Sequence, residues 1–203
     1  GLGTTFASNG LVKHGSIGTA LPYTEARIAD TEDASVTMPV GEVGELMIKG
    51  GIVMQGYYGN DKATKETIEP DGWMHTGDLA SIDEDGCIFI VDRKKDMILT
   101  AGFNVYPAEI ERVLAGMPGI IEVAVIGVPD EKWGELVMAL VVKNPTSTLT
   151  EDELIAYVKT KLAGYKCPKR IEFRNELART ATGKLQKFKL REPYWVNHTR
   201  QVN

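Results

Sequence analysis

Two apolar runs, EVAVIGV at 122–128 and ELVMALVVK at 135–143, constrain the fold more than any other feature of this 203-residue chain. Each has the length of a strand, and each is hydrophobic almost without interruption. Strands of that kind need cover on both faces. The elements around the runs can supply it. PAEIERVLAG (107–116) carries Pro107 at a first helical position, acids in the first turn and Gly116 as a stop, with Ile110, Val113 and Leu114 on one face. Thr150 and Glu153 form a capping box that opens the helix EDELIAYVKTKLA. RIEFR (170–174) is a further strand and QKFKLRE (186–192) a short basic helix. The order β-α-β-β-α-β predicts an α+β domain of roughly 100 residues, enough to hold its own core.

Upstream of Arg93 the pattern is different. YTEARIAD (23–30) and ELMIKG (45–50) alternate as strands, and NDKATKETI (60–68) is a short helix capped by Asn60. LASID and CIFIVDR flank Glu84-Asp85-Gly86, a hairpin signal because an Asp-Gly step accepts positive φ. Many short strands with Gly-rich turns predict a sheet or barrel-like module. The fold class is therefore α+β, with a short β-barrel-like part at residues 1–93 and a small α+β domain with a mixed, helix-flanked sheet at 94–203. No internal repeat is present.

Composition excludes several classes. Hydrophobic residues make up 43% and charged residues 25%, the balance of an ordinary globular protein rather than a disordered or fibrous one. No apolar run approaches the roughly 20 residues that span a bilayer. GLGTTFASNG lacks the basic and apolar regions of a signal peptide. Cys87 and Cys167 are too far apart in sequence to frame a disulfide scaffold. A reducing cytoplasm is the expected compartment. His14, His75 and His198 show no ligand spacing, so no metal site is expected within the chain.

Charge is uneven. Between Lys159 and Arg191 stand eleven Lys/Arg and two acids, a local +9 in a chain of net −5. Such a segment meets something anionic: nucleic acid, a nucleotide, or an acidic surface of the same protein. A solvated basic face is the plain alternative.

Four segments carry residues suited to chemistry. Asp78 follows a Thr-Gly turn in DGWMHTGDLA (71–80), where a lone carboxylate is most often a turn cap. DRKKDMI (92–98) crowds Arg93, Lys94 and Lys95 between apolar strands. Gly102, in LTAGFNVYPAEIE, lets backbone approach a ligand. Lys184 follows Thr-Ala-Thr-Gly in ARTATGKLQKFKLRE, a small, polar and flexible setting from which an ammonium can reach. This Thr-Gly-Lys is not a P-loop, because the first Gly is absent and Leu185 replaces Ser/Thr.

Taken together and in order, GSIGTALPYTEARI, VGELMIKGGIVMQGYY, DGWMHTGDLA, DEDGCIFIVDRKKDMILTAGFNVYPAEIE and LARTATGKLQKFKLRE resemble the adenylate-forming superfamily. That superfamily includes acyl-CoA synthetases, luciferase and the adenylation domains of peptide synthetases. The likeness covers nearly the whole chain and is strongest to the AMP-forming CoA-ligase branch, notably fatty-acyl and related carboxylate ligases. It implies that Asp78 binds the ribose hydroxyls of ATP and that Arg93 reaches ribose or phosphate. It implies that Lys95 is the hinge of a mobile C-terminal domain and that Lys184 is the lysine that meets carboxylate and α-phosphate. It also implies that Gly102 borders the pantetheine channel of CoA, with Trp73 to Gly77 supporting the nucleotide. Trp133, in PDEKWGE, either covers the sheet or faces CoA. Reaction partners would be a carboxylic acid, ATP with Mg²⁺, and CoA.

Two motifs of that family do not occur: a Ser/Thr/Gly-rich phosphate loop ending in Pro-Lys, and a Tyr-Gly-x-Thr-Glu segment, after which GLGTT is expected to follow. The acyl pocket is absent as well. The expectation is a C-terminal part of a larger enzyme, inactive alone, completed by the missing N-terminal domain, with a homodimer as a further expected partner. Ala178 stands where the family commonly has proline, which predicts a looser loop before Lys184. Two other readings stay open. One is an adenylation domain serving a carrier protein, or a luciferase-like enzyme. The other, of a different class, is a basic module that grips nucleic acid through Lys159–Arg191.

Overall fold

The computed structural model describes residues 4–5, 12–196 and 198; of the GLGTT run, residues 1–3 lie outside the described residues. The chain divides into two units, Gly1–Lys94 and Lys95–Asn203.

In the first unit, β1 (Thr4–Thr5) pairs antiparallel with β2 (Thr19–Ala20). A second sheet is a four-stranded antiparallel meander of β3 (Thr24–Ala29), β4 (Gly44–Gly50), β5 (Met74–Ile82) and β6 (Ile88–Arg93), in that spatial order. The sheet stays open: the barrel-like character expected from the strand pattern does not extend to a closed barrel among the described residues. Ile28, Leu46, Ile48, Ala80 and Ile88 build the core on one face. Met47 and Leu79 are fully buried as well and alternate with that set along their strands, which places them on the opposite face. Helix α1 (Asp61–Thr67) begins where Asn60 accepts the Ala63 N–H, as its sequence predicts. The β5–β6 hairpin turns at Gly86, φ +75°. Asp83 accepts the Asp85 and Cys87 amides there, and Lys13 lies 2.6 Å from the Asp83 carboxylate.

The second unit starts with a 3₁₀ turn (Lys94–Asp96, begun by the last residue of the first unit), β7 (Ile98–Thr100) and β8 (Phe103–Val105). Then follow α2 (Pro107–Ala115), β9 (Ile120–Asp130), β10 (Gly134–Lys143), α3 (Glu151–Lys159), β11 (Arg170–Phe173) and α4 (Lys187–Arg191), with a closing 3₁₀ turn (Glu192–Tyr194). The sheet is mixed. β10 pairs antiparallel with β9 along its whole length, parallel with β11 at Met138–Val141, and antiparallel with β7 at Gly134. Helix α3, with its capping box complete, is the crossover between β10 and its parallel neighbour β11.

The two apolar runs are buried on both faces, as their composition predicts. Val125, Val137, Ala139 and Val141 pack with Ile110 and Leu114 of α2 and Leu154 and Val158 of α3. Alternate residues Ala124, Ile126, Met138, Leu140 and Val142 pack with Leu177 and Leu190. Helices α2 and α3 cover one face, and α4 with its leading segment covers the other. Among the described residues no helix is long and apolar enough to cross a membrane.

Leu140 lies wholly within the second cluster, at 0% exposure. Leu140→Ala should therefore cost about 3 kcal/mol in urea-induced unfolding. A loss below about 1 kcal/mol would contradict this packing.

Candidate functional site

The first unit places its chemistry at the junction of β4, β5 and β6. Asp78 and Arg93 are directly opposed in the β5–β6 register. Arg93 Nε lies 3.5 Å from Asp78 Oδ1. Burial raises the Asp78 carboxyl above its usual range of 3.8; Arg93 opposes that shift, and the Glu45 charge adds to it. The preceding Gly77 takes φ +73°, a conformation that favours glycine, with open space where a Cβ would stand. The strand bends here: the β4–β5 register shifts between Glu45 and Met47, and the β5–β6 register between Leu79 and Ala80. Thr76 holds the bend, its hydroxyl donating to the Leu46 carbonyl at 2.6 Å and accepting the Asp78 N–H.

Glu45 lies beneath this bend, its side chain 3% exposed. Lys94 Nζ lies 2.8 Å from its Oε2 and His75 Nδ1 lies 3.0 Å from the same oxygen. The Gly77 amide donates to Oε1 at 3.2 Å. His75 Nε2 reaches Glu69 at 2.9 Å. Burial works against Glu45 ionisation, but the Lys94 and His75 hydrogen bonds outweigh it and hold the carboxyl below its usual 4.5. Sequence reading missed Glu45 and Lys94. Glu45 sits in a strand where alternation suggests a solvent-facing residue, and Lys94 is one cation of a charged run.

In the second unit, Ala101 and Gly102 form the two-residue turn of the β7–β8 hairpin, at φ +52° and +80°. Two positive φ values in sequence fit a type I′ turn. A Cβ at Gly102 would meet nothing within 4 Å, so conformation and not crowding calls for glycine. Beside the turn is a cavity of about 140 Å³ lined by Ala101, Trp133, Leu136, Tyr165 and Lys169. Phe103 stacks on Tyr165 with ring centroids 4.8 Å apart.

Lys184 is exposed, but its loop is well ordered in bonding. Arg179 and Leu185 form a β-bridge. The Thr180 amide donates to the Lys184 carbonyl at 2.8 Å, and the Lys184 amide donates to Thr180 Oγ1 at 3.0 Å. Arg179 pairs with Glu122 on β9. Ala178, at the position expected to loosen the loop, packs on the apolar cluster and accepts the Gln186 N–H. Displacement of the Lys184 backbone therefore requires movement of the whole hairpin, while the exposed side chain keeps its own reach.

Much of the basic segment is neutralised internally. Lys166 pairs with Glu109, Arg174 with Glu172, Arg179 with Glu122, Lys187 with Glu111 and Arg191 with Asp96. Four of those five acids lie outside the segment, so an acidic surface of the same protein accounts for part of its excess charge. No group of three or more His, Cys, Asp or Glu among the described residues could hold a metal ion.

Glu45 and Asp78 should respond oppositely to mutation. Glu45→Ala leaves Lys94 without its carboxylate and should destabilise the first unit by about 3 kcal/mol at pH 7. Glu45's folded value is depressed, so its contribution is present above 4.5 and is lost as pH falls through the folded value. The variant's deficit should therefore shrink in acid. Asp78's folded value is raised, so its contribution is present below 3.8 and is lost as pH rises. Asp78→Asn should leave the pH 7 melting temperature unchanged or higher. Thermal melts of both variants across pH check this, and a larger loss for Asp78→Asn than for Glu45→Ala would contradict it.

The chain is similar to known proteins. Residues 2–58 match the family described as AMP-binding enzyme, and residues 109–184 match the AMP-binding enzyme C-terminal domain. A long-chain-fatty-acid–CoA ligase of Escherichia coli O6:H1 is 51% identical over 178 residues, covering 88% of this chain and 31% of that protein. A feruloyl-CoA synthase of Amycolatopsis is 46% identical over 182 residues, 90% of this chain and 36% of that protein. The crystal structure of ATP-bound MatB from Rhodopseudomonas palustris superposes with a TM-score of 0.83 at 42% identity, over 89% of this chain and 36% of that one. The chain thus spans about a third of the length of these relatives. It belongs to the AMP-binding, adenylate-forming enzyme family, whose C-terminal domain it carries.

Proposed function

We propose that the chain is the C-terminal part of an ATP-dependent, AMP-forming acyl-CoA synthetase. The observation that carries this reading is the Asp78–Arg93 pair, held in register across β5 and β6 within a bent strand. An ionised carboxylate can accept two donors at once, which suits the two hydroxyls of a ribose. Burial makes the Asp78 carboxylate costly to leave unsolvated, so hydroxyl donors relieve a strain already present. Arg93 stands beside it as a fixed cation toward ribose or phosphate.

The reaction would join a carboxylate to the α-phosphorus of ATP and release pyrophosphate. A thiol would then displace AMP to give the thioester. Both first reactants are anions and repel each other. Lys184 would stand between them and stabilise charge developing in the transition state. A compact ammonium on a closed, exposed hairpin can be delivered as a unit and withdrawn before thiol attack. Lys95 would be the pivot, at the boundary between the two units. Mg²⁺ would neutralise charge on the ATP phosphates; its ligands are not proposed among the residues of this chain.

Gly102 would border the path of the CoA arm. The neighbouring cavity supports that assignment, because aromatic rings and an ammonium suit an adenine and a phosphate respectively. The remaining partners would be a carboxylic acid, the N-terminal domain of the same enzyme and a second copy of the chain, with a cytoplasmic location. The relatives' names include both fatty and aromatic acids, so the acid itself stays unassigned.

In the full-length enzyme, Lys184→Ala should slow acid-dependent ATP–pyrophosphate exchange by about 10²–10³-fold. Thioester formation from supplied acyl-adenylate should be largely spared. Equal loss in both steps would remove the role assigned to Lys184.

A further inference from the structure

Lys95 is flanked by two charged neighbours within a single 3₁₀ turn, Lys94–Asp96. Their side chains are committed in different places. Lys94 bonds Glu45 at 2.8 Å, and that bond lies wholly inside the Gly1–Lys94 unit. Asp96 bonds Arg191 at 3.1 Å, and that bond lies wholly inside the Lys95–Asn203 unit. Both are shielded. The Glu45 side chain is 3% exposed, and Asp96 and Arg191 are 13% and 11% exposed.

Breaking either pair takes a partner from a charge in a poorly solvated place, which is unfavourable. Each neighbour of Lys95 is therefore fixed to its own unit by a bond that rotation cannot cheaply release. Peptide planes do not twist, so a change of direction between the two fixed points must be absorbed by the dihedrals around Lys95.

Arg191 adds a second consequence. It ends α4, whose Leu190 lies in the same apolar cluster as Leu177. Ala178 and Leu185, near the two ends of the Lys184 hairpin, pack on that cluster. Thus the hairpin that bears Lys184 and the first residue past Lys95 are held by one short structural chain.

We propose that the Lys94–Glu45 and Asp96–Arg191 ion pairs are a matched set of anchors on either side of Lys95. They confine rotation to that one link, and Arg191 makes the Lys184 hairpin follow it. The inference rests on the assignment of Lys95 as the pivot and adds the device that localises it.

Hydrogen exchange followed by mass spectrometry on this chain tests the anchors directly. Glu45→Gln should speed exchange of the 88–94 segment about tenfold while leaving 96–99 and 186–192 unchanged. Arg191→Gln should do the reverse. Lys94→Met and Asp96→Asn break the same bonds from the other partner and should reproduce the two patterns. Unchanged exchange beside the broken bond would overturn the proposal. So would equal acceleration on both sides of Lys95, because that marks a bond that does not separate the two units. Such a failure would remove the anchors and leave the ligase reading standing, since pyrophosphate exchange by Lys184→Ala tests that reading separately.

Discussion

One buried carboxylate organises the candidate-site end of the first unit. Glu45 receives an ammonium, an imidazole and a backbone amide, so its negative charge is kept ionised where burial alone would neutralise it. Burial raises the proton affinity of Asp78, and the Glu45 charge adds to that rise. Two acids in one bend thus take different characters. Glu45 is satisfied by the protein, and Asp78 is left wanting donors. On the proposed function, this division lets a structural residue hold the bend while its neighbour would meet the nucleotide.

The second unit obeys a different constraint. Its centre is a pair of strands with no polar face, so α2 and α3 must cover one side and α4 the other. Covering the second side brings the C-terminal segment back over the sheet, and the Lys184 hairpin comes with it. Tyr194 donates to Glu172 at 2.7 Å, and Trp195 donates to the Gly127 carbonyl at 3.0 Å, which fasten that return. The position of the exposed lysine is in this sense a by-product of burying β10.

Local signals predicted the local structures well. The Asn60 cap, the Thr150–Glu153 box, the Asp85-Gly86 turn and the two-faced burial of β9 and β10 all depend on neighbours in sequence or on periodicity alone. What escaped prediction depends on distant partners. Glu45 owes its burial and charge to His75 and Lys94, thirty and forty-nine positions away. The β7–β8 hairpin has strands of three residues, too short to show alternation, and its turn begins with Ala101, a residue that does not advertise positive φ. The hairpin around Lys184 looks flexible by composition, yet Thr180 supplies both the backbone and the hydroxyl that close it. Of the candidate residues, Asp78 and Arg93 are brought into register with each other; Lys184 and Gly102 stand on separate hairpins of the second unit.

The central claim is that Lys184 is carried toward and away from a nucleotide held at Asp78. The most direct measurement is the distance between spin labels at Asp71→Cys and Thr182→Cys in the full-length enzyme, both positions being exposed. Native Cys87 and Cys167 are buried and should remain unlabelled. The account predicts a short distance with ATP and acid bound, and a clearly longer one once the adenylate is formed and CoA is added. A single distance common to both conditions would contradict it.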